Sequence, residues 1–143
     1  MDVTGLTPIL NVSDVAQSVA WFEKLGWKRG FAWDGEGMIP EGELTNAVFG
    51  SVCAGKSEIF LCKDGQGLRG GKPARFDGDD DTGATWMSVW LKTPAEVDAA
   101  HVLAKAAGMV ILWPPTDEPW GARECRLMHP DGHVFRISAP IPE

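Results

Sequence analysis

The fold is indicated by one stretch, which reads Glu118-Pro-Trp-Gly-Ala-Arg-Glu-Cys-Arg-Leu-Met-His-Pro-Asp-Gly-His-Val-Phe-Arg-Ile-Ser138. Apolar and polar residues alternate over 123–128 and again over 134–138, as they do in half-buried β-strands. Between the two runs, Pro130 suits the second position of a turn and Gly132 accepts a positive φ. The stretch therefore predicts a β-hairpin.

Two amphipathic helices lie upstream of this hairpin, and each begins at a capping residue. Asp14 begins the first, and Thr93 begins the second with Glu96 as its partner in a capping box. Gly26 and Gly108 follow the last apolar residue of each pattern, so we expect both helices to end there.

The strands and helices predict an internal repeat. The predicted strands are 7–12, 27–33, 47–53 and 58–63 around the first helix, and 86–92, 109–113, 123–128 and 134–138 around the second. Each half thus has one strand, one helix and three strands. A shift of 79 positions carries Asp14 onto Thr93 and Thr7 onto Trp86, which supports a duplication. The prediction is an α+β fold of two βαβββ modules, 5–63 and 84–139.

A segment rich in Gly and Asp, 64–83, separates the modules and predicts a mobile linker. Its acids imitate the opening of a calcium-binding loop, but Thr82 stands where that loop needs Gly and Ser88 where it needs Glu. These acids are Asp77, Asp79 and Asp81. We therefore expect a solvated linker within one domain, since 143 residues with 44% hydrophobic and 23% charged residues are typical of a single globular domain.

Charge and hydropathy exclude two classes of partner. The net charge of −7 and the scattered Lys and Arg argue against nucleic acid. No stretch approaches the roughly 18 apolar residues of a membrane helix, and the first residues lack the pattern of a signal peptide, so we expect a cytoplasmic protein. Cys53, Cys62 and Cys125 lack the spacing of a metal or redox motif and are expected to be free thiols on strands.

The combined pattern resembles a known superfamily. The βαβββ repeat, the entry Asn11-Val-Ser-Asp14, and Pro119-Trp-Gly-Ala-Arg-Glu124 followed by His129-Pro-Asp-Gly-His133 are similar to the vicinal oxygen chelate superfamily of glyoxalases, bleomycin-resistance proteins and dioxygenases. Within it, the chain is most similar to metal-free bleomycin-resistance-like proteins. The resemblance implies curved mixed sheets around a shared cavity, usually in a homodimer.

The resemblance also identifies where related enzymes hold a metal. Those positions match Thr7, Trp86, Arg136 and a residue near Glu58. Thr7 is a weak ligand, Trp86 offers only an indole N–H, and Arg136 is a permanent cation that repels a divalent ion. No metal and no other cofactor are therefore expected.

Two histidines lie four residues apart, a spacing that binds zinc when both lie on one helix turn. Pro130 and Gly132 break any helix between His129 and His133, so we expect a surface turn there. His101 is expected to be a packed or half-exposed residue of the second helix.

Strand alternation sorts residues into two faces of the sheets. The face that the helices cover should carry Leu10, Val12, Met87, Val89, Leu91, Phe135 and Ile137. The open face should carry Thr7, Ile9, Asn11, Trp86, Ser88, Trp90, Val134, Arg136 and Ser138. The candidate ligand-binding residues are Trp86, Ser88, Trp90, Arg136, Phe60, Trp33, Trp113 and Trp120, of which Trp33, Trp113 and Trp120 are expected at strand ends or in loops. A dimer interface is the alternative use of this face.

The leading hypothesis is a non-catalytic binder of bleomycin-resistance type that sequesters a bulky, aromatic, cationic compound, because the chain is acidic and contains seven Trp. A second hypothesis is an enzyme of the same superfamily, a lyase, isomerase or dioxygenase with displaced or no metal ligands and with Glu58 or Glu124 as base. A third is a dimeric accessory module whose open face is covered by its partner.

Overall fold

The computed structural model describes residues 1–71 and 83–143. The elements are β1 (Ile9–Val12), α1 (Val15–Glu23), β2 (Lys28–Trp33), β3 (Phe49–Ala54), β4 (Ser57–Lys63), β5 (Trp86–Trp90), α2 (Pro94–Ala106), β6 (Val110–Glu118), β7 (Ala122–Met128) and β8 (Val134–Pro140). This order confirms the predicted α+β repeat of one strand, one helix and three strands. The chain divides into two compact units, Met1–Leu68 and Arg69–Glu143, and the division falls inside the predicted linker.

Both helices begin where local chemistry predicts. The Asp14 carboxylate accepts a hydrogen bond from the Gln17 N–H at 2.8 Å. The Thr93 hydroxyl accepts from the Glu96 N–H at 3.4 Å, while the Glu96 carboxylate accepts from the Thr93 N–H at 2.8 Å, which completes the capping box. Each of these side chains satisfies a backbone donor that the first helical turn leaves unpaired.

The two units have the same sheet topology. The strand orders are β1-β4-β3-β2 and β5-β8-β7-β6. In each sheet the first two strands of that order are parallel and the other neighbours are antiparallel. Because every strand has its counterpart at the same place in the other sheet, the topology agrees with the internal repeat.

Each sheet buries the face that its own helix covers. In the first unit Leu10, Val12 and Leu61 are fully buried, and α1 packs on β2, β3 and β4. In the second unit Phe135 and Ile137 are buried, and α2 packs on β6, β7 and β8. The remaining residues predicted for this face, Met87, Val89 and Leu91, are only half-buried. The physical reason is that β5 is an edge strand to one side of the helix.

Strand β6 is longer than its predicted span of 109–113. It continues to Glu118 and includes Pro114 and Pro115. Proline cannot donate a ladder hydrogen bond, but β6 is one of the two edge strands of its sheet, where a missing N–H costs little. Pairing with β7 also shifts on both sides of Trp113. Trp113 therefore lies within a strand and not at its end, which corrects the prediction.

Strand β1 is shorter than predicted and begins at Ile9. Pro8 precedes it and contributes only its carbonyl, which accepts a hydrogen bond from the Phe60 N–H at 2.9 Å. Thr7 is therefore exposed and lies outside the strand.

Both histidines of the turn between β7 and β8 are buried, which corrects the prediction of a surface turn. His129 and His133 are 0% and 1% exposed. The Gly70 N–H donates to the Asp131 carbonyl at 2.8 Å, and a Cβ added to Gly132, whose φ is +85°, would collide with the Gly70 backbone. Gly70 of the predicted linker thus packs against this turn.

A second residue of the predicted linker also makes a defined contact. The Asn11 side chain donates to the Gly67 carbonyl at 2.8 Å. The acids Asp77, Asp79 and Asp81 and the neighbouring Thr82, which imitate a calcium loop, lie outside the described residues.

The three cysteines are free and lie on β3, β4 and β7, as predicted. Burial, followed by the charges of Asp98 and Glu124, raises the pKa of the Cys125 thiol to about 11. Over the two described ranges, no helix is both long and apolar enough to cross a membrane.

Candidate functional site

A row of polar and aromatic side chains crosses the second sheet on the face opposite α2. Ser88 on β5 is paired with Arg136 on β8, Arg136 with Arg126 on β7, and Arg126 with Trp113 on β6. Paired residues share a face of the sheet. Ser88 and Arg136 were predicted for this face from alternation, whereas Arg126 was not singled out.

Two of these residues, Arg126 and Arg136, carry like charges directly opposite each other, an arrangement that is unfavourable by itself. Glu124 offsets it from two residues away on the same face. Its carboxylate accepts from Arg136 Nη2 at 2.7 Å and Nε at 2.9 Å, and from Arg126 Nε at 3.2 Å. Because the Arg136 contact is bidentate, it fixes the guanidinium plane as well as its charge.

Glu124 is completely buried. Burial alone would raise the pKa of this carboxyl, but the hydrogen bonds from Arg136 and Arg126 outweigh burial and hold the pKa below its ordinary value. The same bond to Glu124 raises the pKa of Arg136. Glu124 is therefore an anion that orients two arginines, and a carboxylate so engaged is poorly suited to the role of base that one hypothesis gave it.

Three indole rings lie against the two guanidinium groups. The Arg126 Cζ is 5.8 Å from the Trp86 ring centre and 5.4 Å from that of Trp113, and the Arg136 Cζ is 5.7 Å from that of Trp120. These are cation–π distances. The structure thus brings together four of the predicted binding residues, Trp86, Trp113, Trp120 and Arg136.

Two polar atoms beside this row are buried without a hydrogen-bond partner in the described part of the chain. They are the indole N–H of Trp113 and one carboxylate oxygen of Glu118. Glu118 also acts electrostatically on Arg136. A buried polar group left unpaired costs about 1–3 kcal/mol, so both atoms are candidates for contact with a bound molecule.

The remaining predicted residues of this face differ in exposure. Trp90, two residues along β5 from Ser88, is 62% exposed, and Trp120 is 56% exposed. Val134 and Ser138 are buried, although they were predicted for the open face. Alternation assigned their face correctly, because Val134 is paired with Trp86 and Ser138 with Trp90, but it could not predict what covers them.

The first sheet carries a separate aromatic cluster. Phe31, Phe49 and Phe60 contact one another with ring centres 5.5 to 5.9 Å apart. Phe60 was a predicted binding residue, whereas Phe31 and Phe49 were missed. Trp33 lies at the end of β2, as predicted, and is 39% exposed.

Glu58, the alternative catalytic base, lies on β4 of the same sheet. Its Oε2 accepts hydrogen bonds from the Ser51 hydroxyl at 2.7 Å and from the Cys53 thiol at 3.5 Å. Burial, followed by the hydrogen bond and charge of Glu58, raises the pKa of Cys53, which makes this thiol a poor nucleophile.

Three of the four positions that the resemblance assigns to metal ligands do not fit a divalent metal. Thr7 lies outside β1, Trp86 offers no lone pair, and Arg136 places a cation where the metal would be. Within residues 1–71 and 83–143, no group of three His, Cys, Asp or Glu could hold a metal ion. His129 and His133 have ring centres 5.5 Å apart, and each Nδ1 accepts a backbone N–H, from Asp131 and Thr85 respectively.

A cavity of about 500 Å³ lies elsewhere in the first unit. Its lining residues are Glu23, Trp27, Lys28, Arg29, Glu41, Gly42 and Leu44. None of the predicted binding residues lines it. The Arg29 guanidinium donates to the carbonyls of Ile39 and Pro40 at 3.3 and 3.0 Å, so this basic side chain holds the adjacent loop.

Comparison with known proteins gives one family and many similar structures. The family model described as the glyoxalase/bleomycin resistance protein/dioxygenase superfamily matches residues 4–137. Similar solved structures include TioX from Micromonospora sp. ML1, with 18% identity, a TM-score of 0.70, and coverage of 97% of this chain and 100% of that one. Curated proteins give no match.

Two further structures show the range of names attached to this fold. A glyoxalase/bleomycin resistance protein/dioxygenase from Nocardioides has 20% identity and a TM-score of 0.66, with coverage of 99% of this chain and 85% of that one. A bleomycin resistance determinant encoded on the transposon Tn5 has 18% identity and a TM-score of 0.61, with coverage of 96% and 98%. Identities this low establish the fold alone.

Proposed function

This chain belongs to the glyoxalase/bleomycin resistance protein/dioxygenase superfamily, and we propose that it is a non-catalytic member that binds a planar aromatic compound. The observation that carries the proposal is the set of three indoles held against two guanidinium groups on the second sheet. Rigid indole and guanidinium planes offer flat surfaces on which an aromatic ligand stacks with little loss of side-chain entropy.

The exposure of these rings supports a binding role. Trp90 and Trp120 are more than half exposed, so both rings are accessible to a ligand. Trp86 and Trp113 are half-buried and lie against Arg126. The proposed site therefore combines two half-buried indole rings with two exposed ones.

The chemistry of the same residues supports binding in preference to catalysis. Glu124 is held by two arginines, and two of the positions where related enzymes hold a metal carry Trp86 and Arg136, which do not bind one. A protein of this kind would act by sequestration, as in antibiotic resistance. If its concentration in the cytoplasm exceeds its dissociation constant for a toxic compound, it lowers the free concentration of that compound.

The test is isothermal titration calorimetry with a panel of planar aromatic compounds that includes bleomycin. Replacing Trp120 or Trp90 by Ala should lower affinity about two- to twelvefold, the equivalent of 0.5–1.5 kcal/mol per stacked ring. Trp27→Phe is the control, because Trp27 lies in the first unit beside Phe22 with ring centres 5.4 Å apart. Binding that is unchanged in both alanine variants would place the ligand elsewhere and remove the support for this site.

We also propose that the chain forms a homodimer, as the family resemblance implies. Sedimentation velocity over a wide range of protein concentration tests this directly. A monomer at all concentrations would exclude a dimeric accessory role.

Glu58 supports the second candidate function, that of an enzyme. Its Oε2 is bound by Ser51 and Cys53, while Oε1 has no hydrogen-bond partner among the described residues and could accept a proton. If the chain shows turnover with any lyase or isomerase substrate, Glu58→Gln should abolish it, with Glu36→Gln as an exposed control. Turnover that survives Glu58→Gln would exclude this base.

A further inference from the structure

We propose that the ligand carries an anionic group, a carboxylate or a comparable oxyanion, and that Arg136 binds it. This inference rests on the proposed function, because it names the class of compound that the same site takes. It also departs from the sequence-based expectation of a cationic ligand.

The hydrogen bonds of Arg136 define which edge of its guanidinium is available. A guanidinium has five N–H donors in a planar fork. Glu124 takes the Nε–H and one Nη2–H, that is, the side edge. The three other N–H groups, which include the end edge formed by Nη1 and Nη2, have no partner within the described ranges. Two parallel donors at this edge match the two oxygens of a carboxylate.

The available edge is both accessible and fixed in orientation. The Arg136 side chain is 33% exposed, whereas its partner Glu124 is 0% exposed. A buried bidentate carboxylate holds the guanidinium in one plane before any ligand arrives, so little further ordering is needed on binding. Trp120 lies over the same guanidinium, which places an exposed aromatic ring beside the anion-binding edge.

The local charges oppose a cationic ligand even though the whole chain is acidic. The Arg126 and Arg136 side chains are 17% and 33% exposed, whereas Glu124, which pairs with both, is 0% exposed, and Glu118 acts on Arg136 more weakly. Charges elsewhere in the chain are screened over a Debye length of about 8 Å at physiological ionic strength, so the groups in contact with the ligand dominate. The expectation of a cation used the net charge of −7, which says nothing about this face.

The aromatic rings lead to the same conclusion. Three indoles that could attract a ligand cation already lie against guanidinium groups of the chain itself. A cationic ligand would have to displace these groups or accept their repulsion. An anionic aromatic ligand needs neither, since its ring stacks on an indole while its charge pairs with Arg136.

The test compares three probes that share one ring and differ in charge: naphthoate, naphthamide and naphthylmethylammonium. Dissociation constants are measured by calorimetry at low and physiological salt. We expect naphthoate to bind at least tenfold more tightly than naphthamide, as one charge-assisted bidentate contact provides, and the ammonium probe to bind most weakly. Added salt should reduce the preference for naphthoate.

Four variants assign the preference to Arg136. Arg136→Gln should reduce the naphthoate-to-naphthamide preference about tenfold or more. Because this change leaves the buried Glu124 without its main partner, the double variant with Glu124→Gln is made as well and should show the same loss. Glu118→Gln should tighten naphthoate about two- to threefold by removing a nearby negative charge. Lys105→Gln on α2 changes the net charge equally and should leave the preference unchanged.

The outcomes distinguish a failure of the anionic-ligand proposal from a failure of the aromatic binding site itself. If naphthamide binds but naphthoate has no advantage, or if the advantage survives in the double variant, the anionic ligand is excluded while the aromatic site stands. If the ammonium probe binds best, the ligand is cationic and this inference is wrong. If no probe and no larger aromatic compound binds, the proposed function fails and the inference fails with it.

Discussion

Removal of the charge of Glu124 should destabilise the protein measurably. Glu124→Gln keeps the shape of the side chain but removes the carboxylate that pairs with both Arg126 and Arg136, which lie opposite each other. Removing one partner from a fully buried ion pair costs about 3–5 kcal/mol. The two arginine side chains are 17% and 33% exposed, so water solvates part of their charge, and the remaining carbonyl of Gln still accepts one hydrogen bond. We therefore expect a loss of about 2–3 kcal/mol.

The assay is urea unfolding at neutral pH, with the melting temperature as a second readout. For a chain of this size, about 1 kcal/mol corresponds to roughly 3 °C, so the melting temperature should fall by about 6–9 °C. Glu36→Gln is the matched control, because Glu36 is exposed and loses the same charge. The control should remain within about 0.5 kcal/mol of the original chain.

The pH dependence gives an independent check on the same carboxylate. The pKa of Glu124 is lowered in the folded protein, so its contribution to stability is present above its unfolded value of about 4.3 and is lost as pH falls through the folded pKa. The difference between the original chain and Glu124→Gln should therefore shrink below about pH 4. Equal stability of the two proteins at neutral pH, or a difference that does not change on acidification, would refute the conclusion that a charged Glu124 pairs with the two arginines.

Two further predictions concern the buried turn. Gly132→Ala should lower the free energy of unfolding by urea by about 2–4 kcal/mol, because its φ is positive and the added Cβ would meet the Gly70 backbone. Gly121→Ala is the control, since it has a similar φ of +84° but open space around it, and should cost only about 1 kcal/mol. Equal costs would contradict the packing of Gly70 against this turn. Burial, followed by the charge of His133, lowers the pKa of His129 to about 3, so folding stability should decrease as pH falls from about 6.5 toward 3. His129→Asn, whose side-chain carbonyl can accept the Asp131 N–H, should reduce the slope of stability against pH by up to about 1.4 kcal/mol per pH unit. An unchanged slope would exclude His129 as the source of the pH dependence.

The parts of the fold that the sequence predicts well are those that depend on neighbouring residues. The caps Asp14 and Thr93 are readable because a helix N-terminus needs an acceptor within three residues. Their separation of 79 positions then gives the repeat, and the two sheets repeat the same strand order. The hairpin of β7 and β8 follows from alternation around Pro130 and Gly132.

The parts that the sequence predicts poorly depend on residues distant along the chain. Strand β6 passes through Pro114 only because it is an edge strand, and alternation along β6 carries no signal of its place in the sheet. His129 and His133 read as a surface turn because polar residues around Pro and Gly are usually exposed. The turn that holds them contacts Gly70, about 60 residues earlier in the chain, through Asp131 and Gly132.

The candidate site lies between these two cases. Arg136 and Trp86 follow from alternation alone, but Arg126 and Glu124 become visible only when the hairpin register is drawn through its turn. Pairing of Met128 with Val134 puts Arg126 opposite Arg136 and Glu124 on the same face. The sequence contained this signal. What it lacked was the side-chain geometry that joins these charges into one cluster.

The consecutive prolines of β6 also affect how copies of the chain meet during folding. An exposed edge strand is a template for pairing with another strand, which is a common start of aggregation. Pro114 and Pro115 have no backbone N–H to offer, and the pairing shifts around Trp113 distort the edge further. A second strand aligned along β6 would lack hydrogen-bond donors at both prolines. The sequence of β6 therefore disfavours aggregation through this edge of the sheet that carries the candidate site.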